Sequence, residues 1–505
     1  MPRVSNKAIQ RLKGFKDVLP NQQNYWDYFL SKAEPLLKAH GFERIDLPVL
    51  EYSNLYYKGT GKNSDIVEKE LYSFEDKSGD NITLRPEFTP SVCRAYIEHG
   101  MLNKPQPVKL FTLGQVFRHD RPQAGRYRQF NQLNLEAIGS DSPVVDAQLI
   151  TMAYHLLESL GLPVIVHINS IGDLEDRQEF ITKFKQYLTA GNRKKELCDN
   201  CKDRYTKNTL RILDCKEEKC QEILANAPQI IDFLGEESKK HFMQVLEYLD
   251  DLEIKYHLDV NLVRGLDYYN RTTFEIYSID ENPQESQGAL LGGGRYDGLI
   301  EILGGRPTPA IGFAAGIERI INKLRELKII IPDFNQAEVF IAQLGVEARK
   351  ECFRLHQKLL DEGIKVAEAF SRDGLKNQLE KANQLQTKLA LILGQKELLD
   401  HTIIIRDMQS GIQETVDYDK IIQLVKKRVD PVISDVKKYK IRIKGQKKRN
   451  EQIMESEEKV SPQQLSQIKK DFHSSLDIAD DGLLKEDLAP NSDTKESEML
   501  IEDED

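Results

Sequence analysis

The sequence predicts an α+β fold divided into several domains, and three observations lead to this prediction. The chain has 505 residues, which at ~150 residues per domain corresponds to about three domains. Residues 1–330 mix alternating apolar segments with helical ones, as expected for an antiparallel sheet flanked by helices. Residues 172–255 are charged and helical, and strands alternate with helices after the Ile331-Pro332-Asp333 joint.

Composition shifts place the boundaries of these domains. We expect one domain to comprise residues 1–171 and 256–330, because strand-like segments rich in glycine and aromatics occur on both sides of residues 172–255. Residues 172–255 are therefore predicted to be a helical insertion, with helices at 174–188 and 236–252 around a cysteine-bearing loop. Residues 428–505 are basic and then acidic. We predict that this tail is disordered, because it cannot bury enough apolar area to offset its ordering entropy.

Residues 336–427 alternate between the two periodicities, which predicts a small α/β domain. Short apolar runs predict the strands, and amphipathic stretches predict the helices. Gly363 is expected to end the first of these helices, as glycine often does. In chain order, the predicted elements are strand 339–342, helix 346–362, strand 364–370, helix 374–385, strands 389–393 and 402–406, and helix 418–427.

The charge and cysteine content restrict the class of protein. The net charge is −10, but residues 451–505 hold 17 acidic and 5 basic side chains. The remaining body is close to neutral and can carry a local basic surface for phosphates. No apolar run approaches the ~20 residues of a membrane span, and Met1–Pro20 lacks the apolar core of a secretory signal. Six cysteines are too few for a disulfide scaffold, so we expect a cytoplasmic protein with no membrane contact.

The segment Lys109–Gly139 is the most informative part of the sequence. It predicts a hairpin whose second strand, Phe130–Ile138, turns Gln132, Asn134 and Glu136 to one face. This alternation alone leaves two interpretations open, a solvated outer face or a ligand-binding face. The hairpin also carries four arginines, which repel one another unless an anion binds there. These arginines are Arg118, Arg121, Arg126 and Arg128.

This hairpin resembles motif 2 of the class II aminoacyl-tRNA synthetases, in its histidyl form. The resemblance lies in Phe117-Arg118, in the loop from Arg121 to Phe130, and in Gln132 and Glu136. It implies that Arg118 is catalytic and binds ATP at the α-phosphate, and that Arg121 also binds ATP. It further implies that Gln123 and Arg128 contact the acceptor end of tRNA. Gln132 and Glu136 would hold the histidine substrate.

Four other segments resemble further motifs of the same family. Residues 83–89 resemble a segment in which Glu87 and Thr89 contact histidine, although many relatives have glycine where Phe88 stands. Residues 262–270 resemble a histidyl-specific signature, which implies a catalytic Arg264 near the α-phosphate, and Tyr268 and Tyr269 at the histidine pocket. Residues 291–299 resemble a second such signature with Tyr296 in the pocket. Residues 310–319 resemble motif 3, in which Arg319 would clamp the ATP γ-phosphate.

A glycine-containing run and a set of four cysteines each resemble a known ligand-binding pattern. The run Gly59–Lys62 is not a phosphate-binding P-loop, because Tyr56 and Asn63 stand where that motif needs glycine and Ser/Thr. The insertion contains a Cys-x2-Cys and a Cys-x4-Cys pair, which together could ligate a structural zinc ion or bind no metal at all. The four cysteines are Cys198, Cys201, Cys215 and Cys220.

The resemblance covers residues 10–427 and implies a function. The fold would be a class II synthetase catalytic core with an antiparallel sheet flanked by helices, a helical insertion, and a C-terminal α/β anticodon-binding domain. The enzyme would ligate L-histidine to tRNA(His) through a histidyl-adenylate, using ATP with Mg²⁺ and releasing pyrophosphate and AMP. Motif 1, at Asp46–Glu51, places Pro48 at the interface of a homodimer.

Two other functions are alternatives to this one, and the sequence disfavours both. A non-catalytic relative, such as the regulatory subunit of ATP phosphoribosyltransferase, lacks the anticodon-binding domain and has lost catalytic positions. This chain keeps the domain together with Arg118, Arg264 and Arg319. A class II synthetase for threonine or proline is disfavoured by the two histidyl-specific segments.

Overall fold

The computed structural model describes residues 8–61, 64, 66–120, 125–279, 288–334, 336–371 and 374–429. The chain divides into two units, Met1–Val436 and Lys437–Asp505, and all elements below belong to the first. The predictions for Arg121, Gln123 and residues 430–505 of the tail lie outside the described residues. Within the described part of the chain, no helix combines the length and the apolar character that crossing a membrane requires.

Strands and helices alternate along the first unit. The strands are β1 (Glu43–Arg44), β2 (Leu50–Tyr52), β3 (Tyr72–Glu75), β4 (Asn81–Leu84), β5 (Val108–Phe117), β6 (Gln129–Ile138), β7 (Val164–Ser170), β8 (Tyr256–Leu258), β9 (Asn270–Ser278), β10 (Leu291–Arg295), β11 (Ala310–Gly316), β12 (Val339–Gln343), β13 (Val366–Glu368), β14 (Leu389–Leu393), β15 (Thr402–Asp407) and β16 (Gln413–Asp417). The α-helices are α1 (Gln23–Ala39), α2 (Ser53–Gly59), α3 (Thr89–Glu98), α4 (Pro143–Ser159), α5 (Leu174–Thr189), α6 (Arg193–Glu196), α7 (Asp199–Lys207), α8 (Glu218–Leu224), α9 (Glu236–Asp251), α10 (Leu299–Ile302), α11 (Ile317–Glu326), α12 (Val346–Asp361), α13 (Leu375–Gln384), α14 (Gln395–Leu399) and α15 (Ile421–Arg428).

An eight-stranded sheet forms the centre of the part of the chain before residue 330, in the order β1-β5-β6-β11-β10-β9-β7-β8. Its interior ladders are antiparallel, as predicted, whereas the two edge ladders, β1·β5 and β7·β8, are parallel. Leu133 and Leu135 of β6 belong to the apolar core that α1, α4, α9 and α11 cover. Because side chains alternate along a strand, the polar residues of β6 are turned to the opposite face of the sheet.

A separate three-stranded sheet has the order β2-β4-β3 and lies in the N-terminal part of the chain. Tyr52 and Phe74 both pair with Ile82 across this sheet, so the three side chains form one row. Tyr52 is 65% exposed and Phe74 is 49% exposed. An exposed row of large apolar side chains is unusual for the surface of an isolated subunit.

The insertion leaves the large sheet after β7 and returns to it at β8. Its two long helices, α5 and α9, begin and end within one residue of the predicted bounds. Asp173 begins α5 with a capping box, in which its carboxylate accepts hydrogen bonds from the backbone N–H groups of Glu175 and Asp176. The last helix, α9, packs against the apolar core of the eight-stranded sheet through Phe242 and Val245.

The C-terminal part is a five-stranded sheet in the order β13-β12-β14-β15-β16. Two apolar clusters cover its two faces. The predicted helix 346–362 is α12, and Gly363 follows it with φ of 75°. The structure departs from the sequence-based prediction in three places, because β13 spans only Val366–Glu368 and neither α14 nor β16 had been predicted.

Candidate functional site

The polar face of the large sheet borders a cavity of about 690 Å³. Neighbouring strands β6, β9, β10 and β11 line it, together with the loop that precedes α3 and the segment that precedes β9. The cavity therefore joins the segments that resemble motif 2, motif 3 and the two histidyl-specific signatures. Of the two interpretations of β6, the solvated face is wrong, because Gln132, Asn134 and Glu136 are all buried.

Glu87 is one of two buried carboxyls at this site, and it lines the cavity. Its Oε1 accepts a hydrogen bond from the Thr60 hydroxyl at 2.7 Å, and its Oε2 accepts one from the Tyr268 hydroxyl at 2.8 Å. Burial raises the pKa of Glu87, whereas these hydrogen bonds and the nearby Arg118 oppose the rise. Fixed donors on both oxygens hold the carboxyl in one orientation.

Glu136 is the second buried carboxyl. The Thr89 hydroxyl donates to its Oε1 at 2.7 Å, and the Tyr296 hydroxyl donates to its Oε2. Burial raises the pKa of Glu136 to about 7. Of the predicted histidine-binding residues, Glu87 and Thr89 therefore line the cavity, and Glu136 is hydrogen-bonded to the cavity-lining Thr89 and Tyr296.

Three tyrosines form the wall beside these carboxyls. The ring centroids of Tyr268 and Tyr269 are 4.6 Å apart, and those of Tyr268 and Tyr296 are 5.7 Å apart. Gln132 also lines the cavity, and its buried Oε1 has no hydrogen-bond partner within the described chain. A buried amide oxygen without a partner costs free energy, so this atom is a natural acceptor for a bound ligand.

Three arginines also line the cavity. Arg118 donates from Nε to the Pro86 carbonyl at 2.9 Å, Arg264 forms an ion pair with Glu275, and Arg319 donates to the Ala289 carbonyl at 3.0 Å. Burial lowers the pKa of Arg319, and the neighbouring positive charges of Arg126, Arg118 and Arg264 lower it further. Guanidinium groups gathered in this way suit a phosphate-bearing ligand.

Two glycines bring the backbone close to the functional side chains. A Cβ added to Gly312 of β11 would overlap the carboxylate of Glu136. A Cβ added to Gly292 of β10 would overlap the guanidinium of Arg264. The glycine at position 292 therefore leaves room for the side chain of Arg264.

The remaining predicted arginine of the hairpin lies elsewhere. Arg128 packs its side-chain carbons against Gly14 and donates from Nε to the Asp120 carbonyl at 3.3 Å. It is not among the residues that line the cavity, so its contact with tRNA stays a prediction. Arg126 lines the cavity and pairs with Asp120 at 3.3 Å.

Several residues of the site were missed by the sequence analysis. Thr60, in the run rejected as a phosphate loop, holds Glu87. Glu275 pairs with Arg264 and accepts a hydrogen bond from Tyr277. Glu318 lines the cavity beside Arg319 and accepts from both the backbone and the side-chain amide of Asn131. Thr60 and Glu318 lack a local pattern of their own, because their roles depend on partners 27 and 187 residues away.

The four cysteines of the insertion form a possible metal site next to the cavity. Their sulfur atoms all lie within 4.8 Å of one another, and all four residues are buried. Cys198 and Cys215 also line the cavity.

The arrangement can bind a ligand with two different ends. Its buried carboxyls and hydroxyls suit an amino acid with a hydrogen-bonding side chain, whereas its arginines suit phosphates. A low-dielectric cavity strengthens both kinds of interaction. The site can therefore hold a carboxylate next to a nucleotide phosphate and stabilise charge that develops between them.

Comparison with known families covers nearly the whole described chain. The family model described as Histidyl-tRNA synthetase matches residues 14–320, and the model described as Anticodon binding domain matches residues 338–428. The fold described above agrees with both matches, since the first spans the eight-stranded sheet and the second spans the five-stranded sheet.

Individual proteins are similar over their full length. The Histidine--tRNA ligase of Dehalococcoides mccartyi is 43% identical over 421 residues, which is 83% of this chain and 100% of the relative. That of Caldicellulosiruptor saccharolyticus is 43% identical over 424 residues, with 83% and 100% covered. The apo S. aureus histidyl-tRNA synthetase has a TM-score of 0.70 and 35% identity, covering 83% of this chain and 100% of that one.

Proposed function

The chain belongs to the histidyl-tRNA synthetase family, and we propose the roles through which its residues carry out the ligation. The enzyme charges tRNA(His) with L-histidine in an ATP-dependent reaction. The single observation that carries the assignment of roles is that one cavity is lined both by the buried carboxyl of Glu87 and by Arg118, Arg264 and Arg319.

Histidine binds beside the buried carboxyls. Gln132 and Glu136 accept hydrogen bonds from the imidazole and α-amino groups. Gln132 lines the cavity with a buried oxygen that has no partner within the described chain, and Glu136 lies against the cavity-lining Thr89 and Tyr296. Thr89 and Tyr296 orient Glu136, and Glu87 with Tyr268 completes the pocket beside Tyr269. A pocket built to hydrogen-bond an imidazole rejects amino acids that lack one by roughly 10⁴–10⁵-fold, which removes the need for an editing domain.

ATP binds beside Arg118, Arg264 and Arg319 as its Mg²⁺ complex. The histidine carboxylate oxygen attacks the α-phosphorus, a new P–O bond forms, and the bond to pyrophosphate breaks. Arg118 and Arg264 neutralise charge that develops on the α-phosphate, and Arg319 binds the γ-phosphate. Arg121 assists ATP binding from the motif 2 loop. The protein supplies positioning and electrostatic stabilisation, and no side chain becomes covalently modified.

The second step transfers histidine to tRNA. A ribose hydroxyl at the 3′ end of tRNA(His) attacks the acyl carbon of histidyl-adenylate, and AMP leaves with the bonding electrons. Gln123 and Arg128 contact the acceptor end from the motif 2 loop. The C-terminal α/β domain reads the anticodon, as the match to the Anticodon binding domain family supports.

We also propose that the enzyme is a homodimer in the cytoplasm. The exposed row formed by Tyr52, Ile82 and Phe74 supports the dimer, because Tyr52 directly follows the motif 1 segment that contains Pro48. The six cysteines are all free thiols, which supports a reducing compartment.

The first experiment is amino-acid-dependent ATP–pyrophosphate exchange with every standard amino acid. We expect exchange with histidine alone. Arg264→Ala should lower the exchange rate by roughly 100-fold or more, as loss of one charge-stabilising donor does. Arg264→Lys should be intermediate, because lysine keeps the charge but loses the planar fork. Arg354→Ala is the matched control, since Arg354 is exposed on α12 and pairs only with Glu351.

Other outcomes of this experiment have clear meanings. Exchange with a different amino acid would show that the pocket has been misassigned. No exchange with any amino acid, by a protein that is folded by circular dichroism, would favour a non-catalytic regulatory relative instead.

A further inference from the structure

A cluster of four thiols lies in the insertion and has no part in the proposed ligation. Cys198 precedes α7, Cys201 lies in the first turn of α7, Cys215 follows a 3₁₀ turn, and Cys220 lies in α8. The Sγ atoms of Cys198 and Cys215 are 3.8 Å apart. All four sulfurs lie within 4.8 Å of one another, so three separate pieces of backbone deliver them to one point.

We propose that these four cysteines bind one zinc ion, which holds the insertion against the segment that carries Arg264. Zinc in structural sites is tetrahedral, with Zn–S distances of about 2.3 Å, which places the sulfurs about 3.8 Å apart. The separation of Cys198 and Cys215 already has this value. Binding replaces the four S–H protons with one Zn²⁺, and those protons pass to solvent.

Backbone hydrogen bonds support thiolates rather than neutral thiols at this point. The N–H of Cys198 donates to the Cys220 sulfur at 3.2 Å, and the N–H of Cys201 donates to the Cys198 sulfur at 3.4 Å. Donors aimed at ligand atoms are what fixes the orientation of ligands around a bound metal. Four thiols that merely filled an apolar core would gain nothing from such donors.

The geometry favours a single ion over a cluster of several irons. A set of four sulfurs suits either zinc or iron–sulfur chemistry. A cluster of several irons keeps its cysteine sulfurs further apart than a single ion does, because inorganic sulfide lies between them. The close approach of all four sulfurs here fits one ion.

The local fold also has a use for a metal. The helices that carry or flank the ligands are short, since α6 spans Arg193–Glu196, α7 spans Asp199–Lys207 and α8 spans Glu218–Leu224. Isolated helices shorter than ~12–15 residues are marginal in water. A metal ion that joins such pieces supplies folding free energy that their small core lacks.

The segment between the second and third ligands contacts the catalytic signature directly. The Asn208 side-chain amide donates to Asp267 at 2.6 Å. Arg211 lies so close to Gly265 that a Cβ added there would be 3.1 Å from its Nη1. Arg204 donates to the Arg211 carbonyl at 2.9 Å. Fixing Cys201 and Cys215 therefore also fixes Asn208 and Arg211, which contact the segment next to Arg264.

The first test is metal analysis by mass spectrometry of protein purified in reducing buffer without chelator or affinity tag. We expect about one zinc per chain in the wild type and in the control Cys352→Ser, whose cysteine is buried alone in the C-terminal domain. The double variant Cys198→Ser/Cys215→Ser should retain less than half an equivalent. Less than half an equivalent in the wild type, equal zinc in the double variant, or iron in place of zinc would overturn the proposal.

A second measurement needs no substitution. Titration of the wild-type thiols with a mercurial reagent should release zinc, and absence of release would count against the site even if the double variant fails to fold. Hydrogen exchange tests the coupling. Removal of zinc should speed amide exchange in residues 198–224 and 262–268 but leave residues 389–405 unchanged. Faster exchange confined to 198–224 would show that the ion does not support the Arg264 segment.

Discussion

At the scale of single residues, Glu136 is held in an environment that opposes its own charge. It is fully buried, and its pKa is raised to about 7 mainly by burial. Between pH 4.5 and 7 the folded chain holds a proton on Glu136 that the unfolded chain has lost, so stability falls as the pH rises through this window. Above pH 7 the full cost of the buried charge remains.

We therefore expect Glu136→Gln to be more stable and less active. At pH 8 the variant should gain about 2–3 kcal/mol in free energy of unfolding, because glutamine carries no charge to bury. This gain should shrink as the pH is lowered toward 4.5. Histidine-dependent pyrophosphate exchange should fall roughly 100-fold. Urea unfolding at several pH values measures the first effect, and exchange kinetics measure the second.

Glu301→Gln provides the control, because Glu301 is exposed on α10. It should change neither quantity. A Glu136→Gln variant with normal exchange kinetics would contradict the role given to this carboxyl.

The sequence predicted much of this site because family motifs name residues one by one. Glu87, Thr89 and Tyr296 do line one cavity, and Glu136 is hydrogen-bonded to Thr89 and Tyr296. Arg295 was not predicted, although it is fully buried and pairs with Asp146 of α4. A buried arginine has no signature in sequence, since its partner stands about 150 residues away.

At the scale of elements, strand β10 consists largely of glycine because neighbouring groups approach its backbone closely. A Cβ on Gly292 would meet only the flexible end of Arg264, whereas a Cβ on Gly293 would lie 2.6 Å from the Phe313 Cβ and overlap the Gly312 carbonyl. Gly298, just beyond the strand, has no atom within 4 Å of the same position. The three glycines thus differ in what a methyl group would disturb.

This difference predicts a graded series. Gly292→Ala should fold but lose most pyrophosphate exchange, because Arg264 must move. Gly293→Ala should lower the midpoint of thermal unfolding by several degrees or fail to fold, because the sheet itself must part. Gly298→Ala should behave as the wild type in both assays. Equal effects of all three substitutions would contradict this account.

The C-terminal domain contains strands that sequence patterns predict and an edge strand that they do not. Its buried strands β12 and β14 are apolar throughout, so their continuous apolar runs predicted them. Strand β16 reads Gln-Glu-Thr-Val-Asp and is exposed at the sheet edge. An edge strand of polar residues carries no apolar periodicity, and it becomes visible only through its pairing with β15.

At the scale of the whole molecule, the exposed row on the small sheet predicts the assembly state. Replacing Tyr52 and Phe74 with glutamate should shift the enzyme toward monomer in sedimentation equilibrium, because burying two charges against the partner is unfavourable. Phe353→Glu is the matched control, since Phe353 is also exposed, at 63%, but lies on α12. A wild-type enzyme that is monomeric at micromolar concentration would contradict the proposed homodimer.

The order of strands in the large sheet has a consequence for synthesis of the chain on the ribosome. Strand β6 pairs with β11, and Ile138 faces Ala310 across about 170 residues of sequence. At ~5–20 residues per second, β6 waits roughly ten to thirty seconds for its neighbour to emerge. During that interval its open edge can pair with other nascent chains, so we expect early assistance from chaperones to govern the yield of this enzyme more than its final stability does.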